Sequence, residues 1–494
     1  MHSFRLRPVI SVLFAVACGA ALRLWFIHAL PQVQGDSLLY GDIAKNWLVH
    51  GIYGFSGTAN DGSAIIAPTL IRLPGYPAFL GLCFKLFGIE NYRAVLNLQA
   101  VIDLSACLLT AGFVRRVCSA RAAEIALWLA VLCPFTANYV AMPLTETLSV
   151  FCVALGFYTF VCVLDRGGWL PLLALAFSGS FAALLRPDGA LLAIVLFIAL
   201  PYYGRRSIGL RRSVRLAVTG GVLALLPFVS WTVRNWRTFH VFQPLAPRSA
   251  ADPGEFAAPG FERWTKTWLV DFASTYEIYW NIPGDHADID AMPSRAFDTP
   301  AEYQETRRLF DEYNHRASLT PNVDAGFAAL ARERERNHPW RTFLELPLLR
   351  VADMWLRPRA EMLNIELRWW QYSQHRGETL FALAYGALNL LYMLAALAGM
   401  FFWPRFRAAM IGYVTLRTLL LATVAAPETR YTLECFPILE AFAAQAIAYA
   451  AQRSSRTKKA GQAKKTGQEF VSPPEPRNAS QGRHLHPAIF APVE

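Results

Sequence analysis

Long apolar runs recur along most of the chain and are separated by polar segments. A helix needs roughly 20 largely apolar residues to cross a bilayer, and about ten runs approach that length. This pattern predicts an all-α fold, a polytopic transmembrane helical bundle of about ten spans. The predicted spans are residues 9–30, 94–114, 122–142, 144–164, 169–185, 189–204, 214–233, 379–402, 406–425 and 431–450.

The first run has some features of a cleavable signal peptide, because Arg5 and Arg7 precede it and small residues occupy its middle. Arg23 and Trp25 follow, however, without a small-x-small cleavage site before the next polar segment. We therefore expect this run to be retained as the first span.

The polar segment after the first run, residues 31–93, contains two further apolar stretches. Residues 38–48 place apolar and polar positions on different faces, which is typical of a helix lying in the membrane interface. Residues 78–87 are apolar but too short to cross a bilayer. The sequence thus predicts two interfacial helices in the first outer loop.

The runs divide the chain into four predicted parts. Residues 1–233 form a seven-span module, and residues 234–378 form a large, mostly irregular or helical outer segment with surface helices near 300–313 and 327–336. A three-span block, 379–452, follows. Residues 453–494 are rich in Lys, Gln, Pro, Ser and Gly, so we predict a disordered basic cytoplasmic tail.

Composition and charge exclude a soluble domain of this size. The 494 residues are 54% hydrophobic and only 17% charged, and the mean hydropathy is +0.28. Much of the net charge of +11 lies in 115–121, 205–215 and 453–465. By the positive-inside rule these segments and both termini are cytoplasmic. The basic charge is therefore a topology signal, and we expect membrane lipids rather than nucleic acid as partners.

Acidic and basic residues gather at the span ends that this topology places outside. Asp36 follows the first span, Glu146 begins the fourth and Arg186 lies in an outer turn. Arg72 and Arg430 occupy similar positions. Arginines there can bind a lipid phosphate, and a carboxylate at the boundary can act as a base.

Each of these residues also has a simpler interpretation. Asp36 could be a solvated loop acid, and Glu146 could stabilise a helix N-terminus. Arg186 could pair with Asp188 within its turn, and any of the arginines could anchor a span by snorkelling. Several arginines on one face, opposite two acids, favour a functional site. A possible metal-binding stretch, 285–290, matches no defensible spacing, and a solvated acidic loop is the favoured interpretation.

The order and spacing of these motifs resemble the GT-C superfamily of polytopic glycosyltransferases. The similarity is to bacterial relatives of protein O-mannosyltransferases and of the lipid A aminoarabinose transferase, in the manner of glycosyltransferase family 39, and extends to about residue 450. The motifs that carry it are Gly35-Asp36-Ser37 with Tyr40 and Ala44, Arg72 to Pro77 with Phe79, Leu144-Thr145-Glu146, Arg186-Pro187, Trp231 with Arg234-Asn235, and Glu428 with Arg430-Tyr431.

The resemblance implies an inverting glycosyltransferase that takes its sugar from a polyprenyl-phosphate donor at the outer membrane surface. Asp36 would be the general base, and Glu146 would orient the acceptor or help to bind a metal. Further roles follow for residues in the same motifs: Arg186, Arg430 and Arg72 would bind the donor phosphate, and Tyr40, Tyr76, Tyr431 and Arg234 would contact substrate.

The cofactor, the donor sugar and the acceptor stay open. Many relatives carry two adjacent acids at the first site, whereas Ser37 follows Asp36 here, so a divalent metal is possible but has no assigned ligands. The acceptor could be a glycolipid, a polysaccharide or a protein. The expected location is the bacterial inner membrane.

Two alternatives to a sugar transferase remain. A transporter or flippase for lipid-linked sugars would favour ionisable residues near the membrane midplane and repeat symmetry between the halves of the chain. A ligase or polymerase of surface polysaccharide would share the lipid donor.

Overall fold

The computed structural model describes residues 3–466, apart from 60, 283 and 372–373. The chain divides into two units, Met1–Ile447 and Ala448–Glu494. Everything described below belongs to the first unit, except the end of the last helix.

The first part of the chain is almost entirely helical, as the apolar runs predict. A single antiparallel hairpin, β1 (Gly54–Thr58) and β2 (Ala64–Pro68), interrupts the helices after α2. The helices are α1 (Ser3–Ala29), α2 (Asp36–His50), α3 (Gly75–Phe87), α4 (Tyr92–Val117), α5 (Ala120–Val131), α6 (Pro134–Ala137), α7 (Glu146–Arg166), α8 (Trp169–Leu185), α9 (Ala190–Gly204) and α10 (Leu210–Phe239). Short 3-10 turns cover Asn138–Ala141 and Pro187–Gly189, and a π turn covers Arg205–Gly209.

The large segment between α10 and the next long helix has its own aromatic core, built around Trp264, Trp268, Phe310 and Phe327. Helices form close to where 300–313 and 327–336 predict them. The elements are α11 (Pro259–Thr265), α12 (Phe272–Ser274), α13 (Pro300–Asn314), α14 (Pro321–Asn337) and α15 (Leu346–Leu356). Single turns lie at Thr275–Tyr279, Ile289–Ala291, Ser294–Ala296, Arg341–Glu345 and Trp369–Gln371.

The last part contains three long helices and a 3-10 segment that begins at the charged motif near 430. These elements are α16 (Arg376–Phe402), α17 (Arg407–Leu421), the 3-10 segment Thr429–Cys435 and α18 (Phe436–Thr466). The last helix continues past the predicted tail boundary at 452, because alanine, glutamine and lysine are good helix formers. The disordered tail was predicted to begin at 453, and α18 extends beyond that position to Thr466; the rest of the predicted tail lies outside the described residues.

Six helices within the described residues are each long and apolar enough to cross a membrane, or seven if the bent pair Ala120–Val131 and Pro134–Ala141 is one span. The remaining predicted spans correspond to helices that are shorter or that are counted together with a neighbour. Of the shorter ones, α8 has 17 residues and α17 has 15. One candidate of 53 residues contains both α9 and α10. These two helices pack side by side after the π turn, with Gly220 against the ring of Phe197, so they correspond to two of the predicted spans.

The first polar loop forms α2 and α3 where interfacial helices were predicted, but the hairpin between them was not predicted. Asp42 and Asn46, assigned to the polar face of α2, bind this hairpin. The Asp42 carboxylate accepts from Ser56 N at 2.6 Å and from Ser56 Oγ at 2.7 Å, and Asn46 Nδ2 donates to Gly54 O at 3.1 Å. The hairpin therefore packs on the polar side of α2 through Asp42 and Asn46.

An ion pair lies inside the bundle, between the C-terminal third of α1 and the middle of α4. Arg23 and Asp103 are both buried, and Arg23 Nε donates to Asp103 Oδ2 at 2.6 Å. Arg23 Nη1 also donates to Val131 O at 2.7 Å. The pair ties α1, α4 and α5 together, and a further buried acid, Glu440, interacts electrostatically with both residues.

Replacing Asp103 by leucine is expected to destabilise the protein by about 3–5 kcal/mol, because the buried Arg23 charge loses its partner. The double change Arg23→Met with Asp103→Leu should recover most of that loss. The melting temperature of the detergent-solubilised protein measures both effects. Glu124→Gln is the control, since Glu124 is exposed and accepts only from Ser11 at 2.7 Å among the described hydrogen bonds. Equal melting temperatures for Asp103→Leu and wild type would contradict the expectation.

Candidate active site

Four of the predicted site residues lie at the ends of helices that the fold brings together. Asp36 is the first residue of α2 and follows Gly35, whose φ of +55° turns the chain sharply. Glu146 is the first residue of α7. Arg186 follows the last residue of α8, and Arg430 lies in the 3-10 segment before α18. Ion pairs link all four into one network.

Asp36 is the accessible acid of this network. Its Oδ1 lies 2.6 Å from Arg72 Nη2, and its Oδ2 lies 3.6 Å from Arg430 Nη2. The Asp36 side chain is 30% exposed, whereas that of Glu146 is 3% exposed. Asp36 therefore combines ionic contacts with room to meet a second molecule.

Glu146 lies deeper and receives two arginines. Its Oε1 is 3.3 Å from Arg186 Nη1 and 3.6 Å from Arg430 Nη1. Arg430 therefore bridges Glu146 and Asp36 through different guanidinium nitrogens. Because Glu146 is buried and bound by cations, its geometry favours holding the arginines in place over contacting a substrate directly.

A third acid, Glu428, completes the surroundings of Arg430. Its carboxylate accepts from Arg430 Nε and from the hydroxyl of Tyr431. The ring of Tyr431 lies under the guanidinium of Arg186, 4.5 Å from its centre. Tyr431 thus connects the two arginines that flank Glu146.

A second layer of charges lies behind Arg186. Arg186 Nε is 3.2 Å from Asp188 Oδ1, and the fully buried Arg417 binds Asp188 Oδ2 at 3.0 Å and Glu434 Oε2 at 2.8 Å. The predicted turn contact between Arg186 and Asp188 is thus present together with the contact to Glu146. Arg417 and Glu434 were not predicted as site residues, although ionisable residues inside apolar runs are a recognised signal of function.

Two of the predicted tyrosines pack beside Asp36. The rings of Tyr40 and Tyr76 meet edge to face with centres 5.2 Å apart, and the guanidinium of Arg72 lies 5.6 Å from the centre of the Tyr40 ring. Tyr76 is fully buried and donates to Gln99 Oε1 at 2.7 Å. Burial raises the pKa of Tyr40, so its phenol stays protonated. In this arrangement Tyr40 packs against Arg72, and Tyr76 supports the ring of Tyr40.

Arg234 does not join the network, although it was predicted to contact substrate. Its Nη1 donates to Thr69 O at 2.7 Å, and its Nη2 donates to Tyr53 O at 2.7 Å. The Tyr53 hydroxyl in turn donates to Arg72 O at 2.9 Å. Arg234 therefore holds the backbone around the hairpin and reaches the site only indirectly.

The acidic residues of the site are not arranged to coordinate a metal ion. Asp36, Glu146 and Glu428 are each bound by an arginine, so their oxygens already meet positive charge. No group of three or more His, Cys, Asp or Glu residues that could hold a metal ion occurs in the part of the chain that the structure describes. The acidic stretch 285–290 forms no such group either.

A cavity of about 640 Å³ adjoins the network on the side of the large segment. Arg430, Glu428 and Thr429 line it from the membrane block. Residues of the large segment, including Trp280 and Glu361, also line it, as do residues between 32 and 144. This cavity was not predicted, because the residues that line it come from segments spread along the chain from Gln32 to Arg430.

The family model of dolichyl-phosphate-mannose-protein mannosyltransferases matches residues 71–231. This match covers a third of the chain and includes Arg72, Tyr76, Glu146 and Arg186 of the site. It confirms the resemblance to the GT-C superfamily that the motifs indicate. No curated protein matches the sequence significantly.

Solved structures with a similar course of the chain are polytopic membrane proteins. The oligosaccharyltransferase AglB from Archaeoglobus fulgidus, in complex with an inhibitory peptide and a dolichol-phosphate, is 13% identical with a TM-score of 0.48. The match covers 93% of this chain and 52% of that protein, so this chain spans about half the length of AglB. ArnT from Cupriavidus metallidurans, bound to undecaprenyl phosphate, is 14% identical with a TM-score of 0.39, over 89% of this chain and 78% of ArnT. Likenesses at this level assign no residue and no activity.

Proposed function

We propose that the protein is an integral membrane glycosyltransferase that moves a sugar from a polyprenyl-phosphate donor to a hydroxyl group of an acceptor. The observation that carries the proposal is the placement of the half-exposed Asp36 against Arg72 and Arg430, with Arg430 also bound to Glu146. A base and several fixed cations then meet at one surface.

In the proposed reaction the acceptor oxygen attacks the anomeric carbon, and Asp36 takes the proton from that oxygen. The bond between the anomeric carbon and the phosphate oxygen breaks, and the polyprenyl phosphate leaves with the bonding electrons. A single displacement of this kind inverts the anomeric configuration.

Negative charge grows on the phosphate as it departs. Fixed cations at that point lower the barrier because they need no reorganisation. Arg72 and Arg430 are closest to Asp36, and Arg186 is held beside Arg430 through Glu146. Arg417, Asp188 and Glu434 keep Arg186 in place. This layered arrangement supports a role for the arginines in phosphate binding.

The proposed location of the site is the outer surface of a bacterial inner membrane, with both termini in the cytoplasm. The basic loops 115–121 and 205–215 support this orientation. Alkaline phosphatase fusions within 240–370 should be active, whereas fusions within 205–215 should be inactive. The reverse pattern would overturn the proposed orientation and with it the outer location of the site.

A strain that lacks the gene provides the test of function. Its cell envelope should lose one glycan modification, and one polyprenyl-phosphate sugar should accumulate on the outer leaflet. Mass spectrometry of lipid extracts would identify the donor sugar. Unchanged lipid-linked sugars together with unchanged envelope glycans would contradict the proposal.

A lipid-linked sugar transporter is the second candidate, favoured by one observation. The buried Arg23–Asp103 pair places ionisable groups inside two candidate spans, and such residues often mark substrate or ion pathways. Labelling the same strain with a membrane-impermeant reagent before lipid extraction separates the candidates, because loss of a transporter would leave the lipid-linked sugar on the cytoplasmic leaflet.

A further inference from the structure

The cavity beside Arg430 has chemistry that the donor phosphate does not explain. Its lining includes three aromatic residues of the large segment, Phe272, Tyr276 and Trp280. The ring centres of Tyr276 and Trp280 are 5.5 Å apart, and those of Phe272 and Trp280 are 5.7 Å apart. Tyr276 is 52% exposed and Trp280 is 43% exposed. These rings offer an apolar platform at an accessible position.

Glu361 lines the same cavity and has one carboxylate oxygen without a partner. Its Oε1 accepts from the Tyr139 hydroxyl at 3.0 Å and from the Thr429 hydroxyl. Its Oε2 is shielded from solvent and has no hydrogen-bond partner among the described residues. An acceptor atom in that condition costs free energy unless another group donates to it. This oxygen therefore points to a ligand that carries a hydrogen-bond donor.

The nearby guanidinium of Arg359 does not supply a hydrogen bond to Glu361 Oε2. Arg359 is near enough to Glu361 to interact electrostatically. The two residues do not form one of the described ion pairs. Its hydrogen bonds go to Thr429 O at 2.8 Å, to Asn389 Oδ1 at 3.2 Å and to the Thr432 hydroxyl. Glu361 is thus held in position through Oε1, while Oε2 accepts no hydrogen bond from the part of the chain that the structure describes.

Negative charge exceeds positive charge around the cavity. The lining contains five glutamates, and Arg430 is the one arginine or lysine among the described lining residues. Arg368, which binds Glu277 at 2.6 Å, and Arg359 add two cations from behind. Acids still outnumber arginines, so a phosphorylated group would meet repulsion here. The acids concerned are Glu277, Glu361, Glu366, Glu378 and Glu428.

We infer that this cavity binds the acceptor of the proposed transfer reaction, and that it selects a hydroxylated acceptor group that is uncharged or positively charged. Glu361 Oε2 would accept a hydrogen bond from a hydroxyl or ammonium group, while the rings of Tyr276 and Trp280 would cover the apolar face of the ligand or an ammonium group. The inference rests on the proposed function, and it adds the acceptor site and its charge preference.

The position of the cavity suits an acceptor. Arg430 lines the cavity, and its Nη2 atom lies 3.6 Å from Asp36 Oδ2. A group bound in the cavity next to Arg430 would therefore be close to the proposed base. The two substrates would then approach from different sides. The donor phosphate would meet Arg72, Arg186 and Arg430, and the acceptor would enter over the glutamates.

Three small sugars with matched shape and different charge test the inference: N-acetylglucosamine, glucosamine and N-acetylglucosamine 6-phosphate. Saturation-transfer NMR would measure their binding to the full chain in nanodiscs of uncharged lipid. The first two should bind, and the phosphate should bind at least about tenfold more weakly, because like charges face each other. Equal or tighter binding of the phosphate, or no binding of the first two, would overturn the inference.

Two variants test whether the sugars bind in this cavity. Glu361→Gln should weaken glucosamine binding by about tenfold, as expected when a hydrogen bond to a charged group is lost, and should reduce the discrimination against the phosphate. Trp280→Ala should weaken N-acetylglucosamine and glucosamine alike. Glu312→Gln is the matched control, since Glu312 is exposed on α13 and pairs with Arg308. Unchanged affinities in both cavity variants would refute the assignment.

Donor binding distinguishes failure of this inference from failure of the proposed function. Undecaprenyl phosphate binding to the same nanodiscs should be unaffected by Glu361→Gln. If that lipid binds while the sugars show no charge preference, the acceptor inference alone is wrong. If the lipid does not bind wild-type protein, the proposed function itself fails.

Discussion

Replacement of Asp36 by asparagine is expected to lower the transfer rate by about 10²–10⁴, the usual contribution of a general base. Asparagine has nearly the same shape and can still contact Arg72, but it cannot take the acceptor proton. The measurement is transfer from a polyprenyl-phosphate sugar by the purified protein in nanodiscs, with the donor identified from the deletion strain.

The fold should tolerate this change. Asp36 is 30% exposed and Arg72 is 27% exposed, and ion pairs at such positions contribute about 0–1 kcal/mol. The melting temperature should therefore stay close to that of wild type. Asp42→Asn is the matched control on the same helix, because Asp42 binds Ser56 and contacts none of the site arginines in the described ion pairs. Wild-type transfer by Asp36→Asn would remove Asp36 as the base.

Replacement of Arg430 is expected to have the largest effect on donor use. Arg430 contacts three acids, Asp36, Glu146 and Glu428, and two of these are buried. Arg430→Ala would leave buried carboxylates without their partner, at a cost of about 3–5 kcal/mol in stability. Loss of the cation at the departing phosphate should also lower kcat by about 10²–10³, as for other preorganised donors in active sites.

Arg430→Lys separates these two effects. Lysine keeps the charge but cannot form the planar fork that reaches several acids at once, so the protein should fold while transfer remains impaired. Free undecaprenyl phosphate should inhibit both Arg430 variants more weakly than it inhibits wild type or Asp36→Asn. Arg308→Lys serves as control, since Arg308 is exposed and pairs with Glu305 at 2.7 Å. Inhibition as strong as in wild type would argue against phosphate binding by Arg430.

Some residues of the site can be recognised from the sequence alone. Asp36, Glu146, Arg186 and Arg430 were found from their positions at span ends, and the structure brings all four together. Their chemical roles remain predictions. Arg234 was included with them because of its motif, but its guanidinium is used by backbone carbonyls of the hairpin.

Other residues of the site could be recognised only after folding. Arg417 and Glu434 are isolated charges within apolar runs, while Glu361 lies in an irregular part of the large segment. Whether such a charge is paired, free or turned toward a cavity depends on neighbours far away in the chain. The Oε1 atom of Glu361, for instance, meets Tyr139, which is 222 positions away.

The sequence by itself determined that this is a helical membrane protein and which charged residues lie at the ends of its spans. It could do so because bilayer crossing depends on local hydrophobicity and helix length. Only the tertiary structure decided that Arg430 joins Asp36, Glu146 and Glu428, and that an acidic, aromatic cavity opens beside it. Ion pairs and cavities depend on distances between remote segments, and those distances are set by packing of the whole chain.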